Sequence, residues 1–225
     1  MDRLRERIRQ LPPGVEFLFV VVCAFGLSIF TSILSIGGLA SRPTYVNATL
    51  LGTTLEVLIV AALLGGFLRI RDWSLERIGF EVTLRQTIWG VGLLAGVLGV
   101  QTLLQVSAPL LGFHPGAPAA RFPAAAALDP GVVLIASVVQ DAFEEFFIAG
   151  YVITALAATR GPWAAVHVST GLRVLCHVYQ GPLGVLTMVP MGLIFGYLYV
   201  RTRKLWPLIV AHLLLDVIAL ALASR

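Results

Sequence analysis

Three features of this chain predict an all-α fold, a polytopic bundle of membrane helices. The first is composition: 58% of the 225 residues are hydrophobic and only 12% are charged, roughly half the charge of a soluble domain of that size. Mean hydropathy is +0.90. The second is a series of about seven apolar runs, each long enough to cross a bilayer core. The third is the placing of positive charge. The net charge is +4, yet Arg and Lys gather at the ends of apolar runs, as in cytoplasmic loops. Nothing in that distribution fits a nucleic-acid binder, so no nucleic-acid partner is expected; the bilayer is.

The chain opens with a charged stretch over residues 1–14, read as a short amphipathic helix at the membrane surface and ended by Pro12-Pro13-Gly14. The expected spans follow at 15–38, 49–68, 86–112, 131–158, 163–180, 183–200 and 205–223. The first is too long for the core of a signal peptide. Basic residues mark alternate connections. Arg3, Arg5, Arg7 and Arg9 precede the first span; Arg69, Arg71, Arg77 and Arg85 follow the second. Arg160 follows the fourth, and Arg201, Arg203 and Lys204 follow the sixth. The positive-inside rule then puts the N-terminus in the cytoplasm. Composition is even along the chain, so one integral membrane domain over residues 1–225 is expected.

Small residues four apart, Gly92 with Gly96 and Gly192 with Gly196, predict close helix packing. Pro190 predicts a kink in the sixth span. The loop 113–130 is rich in Pro and Ala and faces outward. Cys23 and Cys176 both lie in apolar runs, with neither metal-site spacing nor a disulfide framework.

The chemistry-bearing residues lie within the spans. Asp141, Glu144 and Glu145 sit in one apolar helix, where ionisable side chains are costly and mark functional sites. Glu144 is about thirteen residues in from Gly131, roughly 20 Å along the helix and too deep to be a frayed end. Asp141 and Glu145 share one stripe, with Glu144 about 100° round, so the two glutamates are expected to face different partners. Arg173 and His177 are one turn apart, as are His212 and Asp216. The structural reading of each pair is a packing hydrogen bond. The functional reading is acid–base chemistry on water, with an imidazole oriented by a carboxylate. His167 and His114 are read as structural.

These residues, in this order, resemble the CAAX-protease and bacteriocin-processing family of intramembrane proteases. The motifs read EEFFIAGY at 144–151, RVLCH at 173–177 and HLLLD at 212–216. The resemblance implies a four-helix catalytic core over 131–223, with 15–112 as variable N-terminal spans. It implies an endopeptidase acting on a membrane-anchored protein or peptide. A chain of this kind is expected in the inner membrane of a bacterium.

In that reading Glu144 is the general base, His177 holds or activates the water and His212 donates to the oxyanion. Glu145, Arg173 and Asp216 support them, Asp216 by orienting His212. No cofactor or metal is required. Two His and a Glu also make a zinc set by residue type, though they come from three helices and without a His-Glu-x-x-His run. Two positions depart from the family pattern. Its arginine four residues after Glu145 is Ala149 here, and its aromatic four residues before His177 is Arg173. The expectation is that the charge has changed helix, with Arg173 reaching across to Glu145. The competing readings are a non-catalytic scaffold or immunity-type protein, and a small transporter using Glu and His as a proton relay.

Overall fold

The computed structural model describes residues 2–41, 44–112 and 128–223; His114 and most of the loop 113–130 lie outside them. Every expected apolar run is helical. A surface helix α1 (Asp2–Arg9) leads into α2 (Pro13–Ile36), α3 (Asn47–Ile70) and α4 (Leu84–Ser107). The central helix is α5 (Pro130–Glu144), which continues through a π-helical segment (Glu145–Ile153) into α6 (Thr154–Arg160). Then come α7 (Pro162–His177), a 3-10 turn over Val178–Gln180, α8 (Gly181–Thr202) and α9 (Trp206–Ala223).

Local sequence explains the boundaries. Pro13, Pro130 and Pro162 each open a helix, where a missing N–H costs nothing. Asp129 caps α5 by accepting from the amides of Gly131 (2.8 Å) and Val132 (3.1 Å). Thr83 caps α4 through the Gln86 amide at 3.2 Å. Between α6 and α7 the chain reverses at Gly161, whose φ of +83° suits glycine alone.

By length and composition, Pro13–Ile36, Asn47–Ile70, Leu84–Leu110 and the run Pro162–Thr202 are able to cross a membrane, and Trp206–Ala221 is a shorter apolar helix. The helix from α5 to α6 is as long, but three carboxylates lower its hydropathy. Leu18, Phe30, Leu63 and Leu103 on α2, α3 and α4 are exposed, as side chains facing hydrocarbon would be. The protein is an integral membrane protein.

The buried core lies where α4, α8 and α9 close around the π segment. Phe195, Tyr199, Leu205 and Leu208 pack there against Ala149 and Ile153. Phe143, Phe147 and Tyr151 join α5 and the π segment to α2 and α3. The small-residue expectation holds at one site and fails at the other. A Cβ at Gly192 would lie 2.8 Å from Thr170, and one at Gly196 2.9 Å from Val166, so these glycines let α7 and α8 touch. Gly92 and Gly96 face open space; the close contact of α4 is at Gly90, where a Cβ would fall 2.6 Å from Val210.

Candidate active site

The π segment sets the site. A π turn is wider than an α turn and recurs at functional positions; here it begins at Glu145, in the middle of the bundle. Asp141 and Glu145 keep the shared stripe expected of them, and both face His212. Glu145 is fully buried. Its Oε1 accepts from the Nη2 of Arg173 at 2.6 Å and from the Nδ1 of His212 at 2.8 Å. Arg173 thus does cross from α7 to Glu145, as expected from the exchanged positions. Arg173 is 1% exposed, and its guanidinium lies 5.5 Å from the Phe195 ring. A charge so buried needs its counter-charge to stay ionised in place.

Glu144 diverges from Glu145 less than the stripe predicts. It too lies against Arg173, with Oε2 3.6 Å from Nη1, beyond hydrogen-bonding distance. Its side chain keeps 24% exposure.

A cavity of about 260 Å³ opens beside this network, toward the end of the bundle that carries the 178–180 turn. Asp141, His177, His212 and Asp216 line it, together with Tyr45 and Gln180. Glu144 is next to the cavity and does not line it. It is nevertheless within electrostatic reach of the Tyr45 phenol at the mouth. Burial, then the Tyr179 hydroxyl, then the carboxylates of Asp216 and Glu144 push that phenol well above its usual pKa. Tyr45 therefore stays protonated, its oxygen 3.4 Å from that of Tyr179.

His177 ends α7, and its Nδ1 donates to the backbone carbonyl of Arg173 at 2.8 Å. That bond leaves Nε2 for the cavity. For His212 the structure corrects the expected partner: Nδ1 is held by Glu145 and not by Asp216. Its Nε2 lies 3.9 Å from Asp141 Oδ1. Asp216 joins the group differently, since ligand atoms of Asp141, His212 and Asp216 all lie within 4.8 Å of one another. Among the described residues this is the donor set that closes up. Glu144, His177 and His212, the zinc set implied by residue type, do not. His167 is exposed beside Trp163 and away from the cavity.

Several polar atoms here have no hydrogen-bond partner among the described residues: Asp141 Oδ2, Glu144 Oε2, Glu145 Oε2, and Nε and Nη1 of Arg173. Buried groups left open in this way are concentrated at sites that do work on water or substrate.

Asp141 belongs to the site although it lies outside the roles that the three motifs imply. Its position one turn before Glu145 was the available signal. Tyr45 and Gln180 carried none, because each reaches the cavity from a connection between helices.

Residues 126–218 match the family model described as type II CAAX prenyl endopeptidase Rce1-like. The match spans Glu144, Glu145, Arg173, His177, His212 and Asp216, and it bears out the resemblance read from the three motifs. No curated protein and no solved structure matches the chain.

Proposed function

We propose that this chain, which through residues 126–218 belongs to the type II CAAX prenyl endopeptidase Rce1-like family, is an intramembrane endopeptidase of a membrane-anchored protein or peptide. The observation that carries the reading is the cavity itself. Imidazoles and carboxylates from α5, α7 and α9 meet there at the head of a buried, partly open polar network.

Seven helices cross the bilayer in this reading, the helix from α5 to α6 among them. The basic connections at 69–85 and 201–204 lie in the cytoplasm with the N-terminus. The cavity mouth, with Tyr45 and the turn after His177, then faces the outer side of a bacterial inner membrane. That side suits the trimming of exported or surface-anchored chains.

Glu144 is the general base. Longer than a hydrogen bond from Arg173, it can turn to a water at the edge of the cavity and take its proton. The Nε2 of His177 holds that water. The water oxygen bonds to the carbonyl carbon, the C–N bond breaks, and the proton taken by Glu144 passes to the leaving amine. A carboxylic acid and an amine result, with no covalent enzyme intermediate. His212 acts as an imidazolium in this reading: Glu145 holds its Nδ1–H, Asp141 and Asp216 balance its charge, and its Nε2–H donates to the oxyanion, a stabilisation worth a few kcal/mol in a dry site.

The test compares the termini of membrane proteins in cells carrying the wild type or Glu144→Gln. New termini that depend on Glu144, at equal expression, support the peptidase. Identical termini in both strains favour the scaffold reading.

A further inference from the structure

We infer that a second cavity, between α3 and α5, holds one bilayer lipid: a zwitterionic glycerophospholipid with a primary ammonium in its head group. The inference rests on the proposed orientation, which puts the connection after α3 in the cytoplasm. It adds a ligand that the peptide chemistry does not use.

The shape of the cavity is the first observation. It encloses about 870 Å³ and has the connection 71–78 across one end. Toward their other ends α3 and α5 meet, where Leu50 packs with Val133 and Ala136. The wall on α3 runs from Val57 to Arg69, about 18 Å at 1.5 Å per residue. A bilayer core is about 30 Å thick, so the cavity is as deep as one leaflet of hydrocarbon. Leu58 and Val138 on opposite walls are exposed and do not cover each other. A Cβ at Gly65 would meet nothing within 4 Å, so the wall is hollowed there. A space lined in this way does not hold water; acyl chains fit it.

The charges at its mouth are the second observation, and they choose the head group. Arg69 and Asp72 both line the cytoplasmic end. Neither side chain has an ion pair or a hydrogen bond among the described residues. Their neighbours are occupied: Arg71 holds Glu16 and the end of α1, and Arg77 lies 3.9 Å from the centre of the Trp73 ring. One free charge of each sign suits a head group that carries both. Its phosphate meets the guanidinium of Arg69, and its ammonium donates to the carboxylate of Asp72. A purely anionic head would set a like charge beside Asp72, and a quaternary ammonium has no hydrogen to donate.

The occupant is a lipid of the membrane and not an anchor carried by the substrate. The two cavities share no lining residue, and they open at opposite ends of the bundle. Phe143, Phe146 and Phe147 form part of the lipid wall and flank Glu144 and Glu145 in the chain. Acyl chains against those rings brace the start of the π segment from the side away from the peptidase cavity.

The experiment uses the full chain in detergent, stripped of lipid and then titrated with dioleoyl phosphatidylethanolamine, phosphatidylglycerol or phosphatidylcholine. Native mass spectrometry counts the lipid retained. We expect one phosphatidylethanolamine per chain, held about tenfold more tightly than the other two, as one charge-assisted hydrogen bond supplies. Asp72→Asn should remove that preference, and Arg69→Gln should weaken all three lipids about tenfold. Gly65→Trp, which puts an indole into the hollow, should retain none of them. Phosphatidylethanolamine should raise the unfolding midpoint of the wild type and leave that of Gly65→Trp unchanged. If Gly65→Trp does not fold, the two charge variants, both at exposed positions, decide.

No retained lipid, equal retention of the three, or a preference unchanged in Asp72→Asn overturns the site. Displacement of the lipid, one for one, by the anchor of a cleaved substrate overturns it too and gives the cavity to the substrate. Glu144→Gln should retain the lipid as the wild type does. Cleavage by a wild type that retains no lipid overturns this site and leaves the peptidase standing. Specific retention with no cleavage activity overturns the peptidase and leaves the site.

Discussion

Glu16 and Glu145 are both buried carboxylates beside an arginine, and their surroundings differ in completeness. Glu16 Oε2 accepts from Arg71 Nε at 2.5 Å, while Oε1 accepts from Trp73 Nε1 at 2.9 Å and the Tyr151 hydroxyl at 3.2 Å. Arg71 spends its remaining donors on backbone carbonyls at the end of α1: Ile8 at 3.1 Å, Leu11 at 2.9 Å, and Arg9. The cluster ties α1, α2, α3 and the π segment together with its side-chain groups engaged. Around Glu145, by contrast, one carboxylate oxygen and two guanidinium nitrogens are left open. A clamp is finished internally. A site keeps polar capacity for something that arrives.

That contrast can be broken experimentally. The largest effect is expected at Arg173. Arg173→Met strands Glu145 and Glu144 without a counter-charge and should cost about 3–5 kcal/mol, read as a lowered unfolding midpoint in detergent. Exchanging the pair, Glu145→Arg with Arg173→Glu, should fold better than either single change. It should not restore full activity, because His212 then meets an arginine where its acceptor was. Full recovery of cleavage would show that His212 does not depend on Glu145.

Glu16→Gln should cost less, about 1–3 kcal/mol, the usual penalty for a buried group that loses a partner. The same unfolding assay reads it, and activity per folded molecule should stay at the wild-type level. A loss of turnover at unchanged stability would mean that the clamp belongs to the site. Tyr151→Phe removes one of the hydrogen bonds to Glu16 and should cost about 0.5–1.5 kcal/mol, again with turnover intact.

The sequence carried most of the fold. Apolar runs of bilayer length and prolines at their starts are local signals, and each run proved helical with its ends displaced by a few residues. The pairing of Arg173 with Glu145 was also legible, because one arginine missing and one gained on facing helices implies a contact. Other features were not. The π segment leaves no trace in a 3.6-residue periodicity, since the same apolar residues serve either turn. Gly92 and Gly96 looked like an interface, yet which stripe of α4 faces a neighbour depends on where α9 docks, and that choice fell on Gly90. The partner of His212 went astray for a related reason. Asp216 is near in sequence, but Glu145 comes from another helix and is nearer in space. Glu16 escaped notice as an ordinary acid in the first turn of a helix, and only Arg71, Trp73 and Tyr151, far along the chain, make it a buried junction.

In the proposed mechanism water is activated at Glu144 inside the membrane. The direct measurement is cleavage of a membrane-anchored substrate, identified from the termini comparison, by the full chain in proteoliposomes made up in ¹⁸O-labelled water. The wild type should place the label in the new C-terminal carboxylate, and Glu144→Gln should lose about 10²–10⁴-fold in rate while keeping its unfolding midpoint. Equal rates from wild type and variant would contradict it.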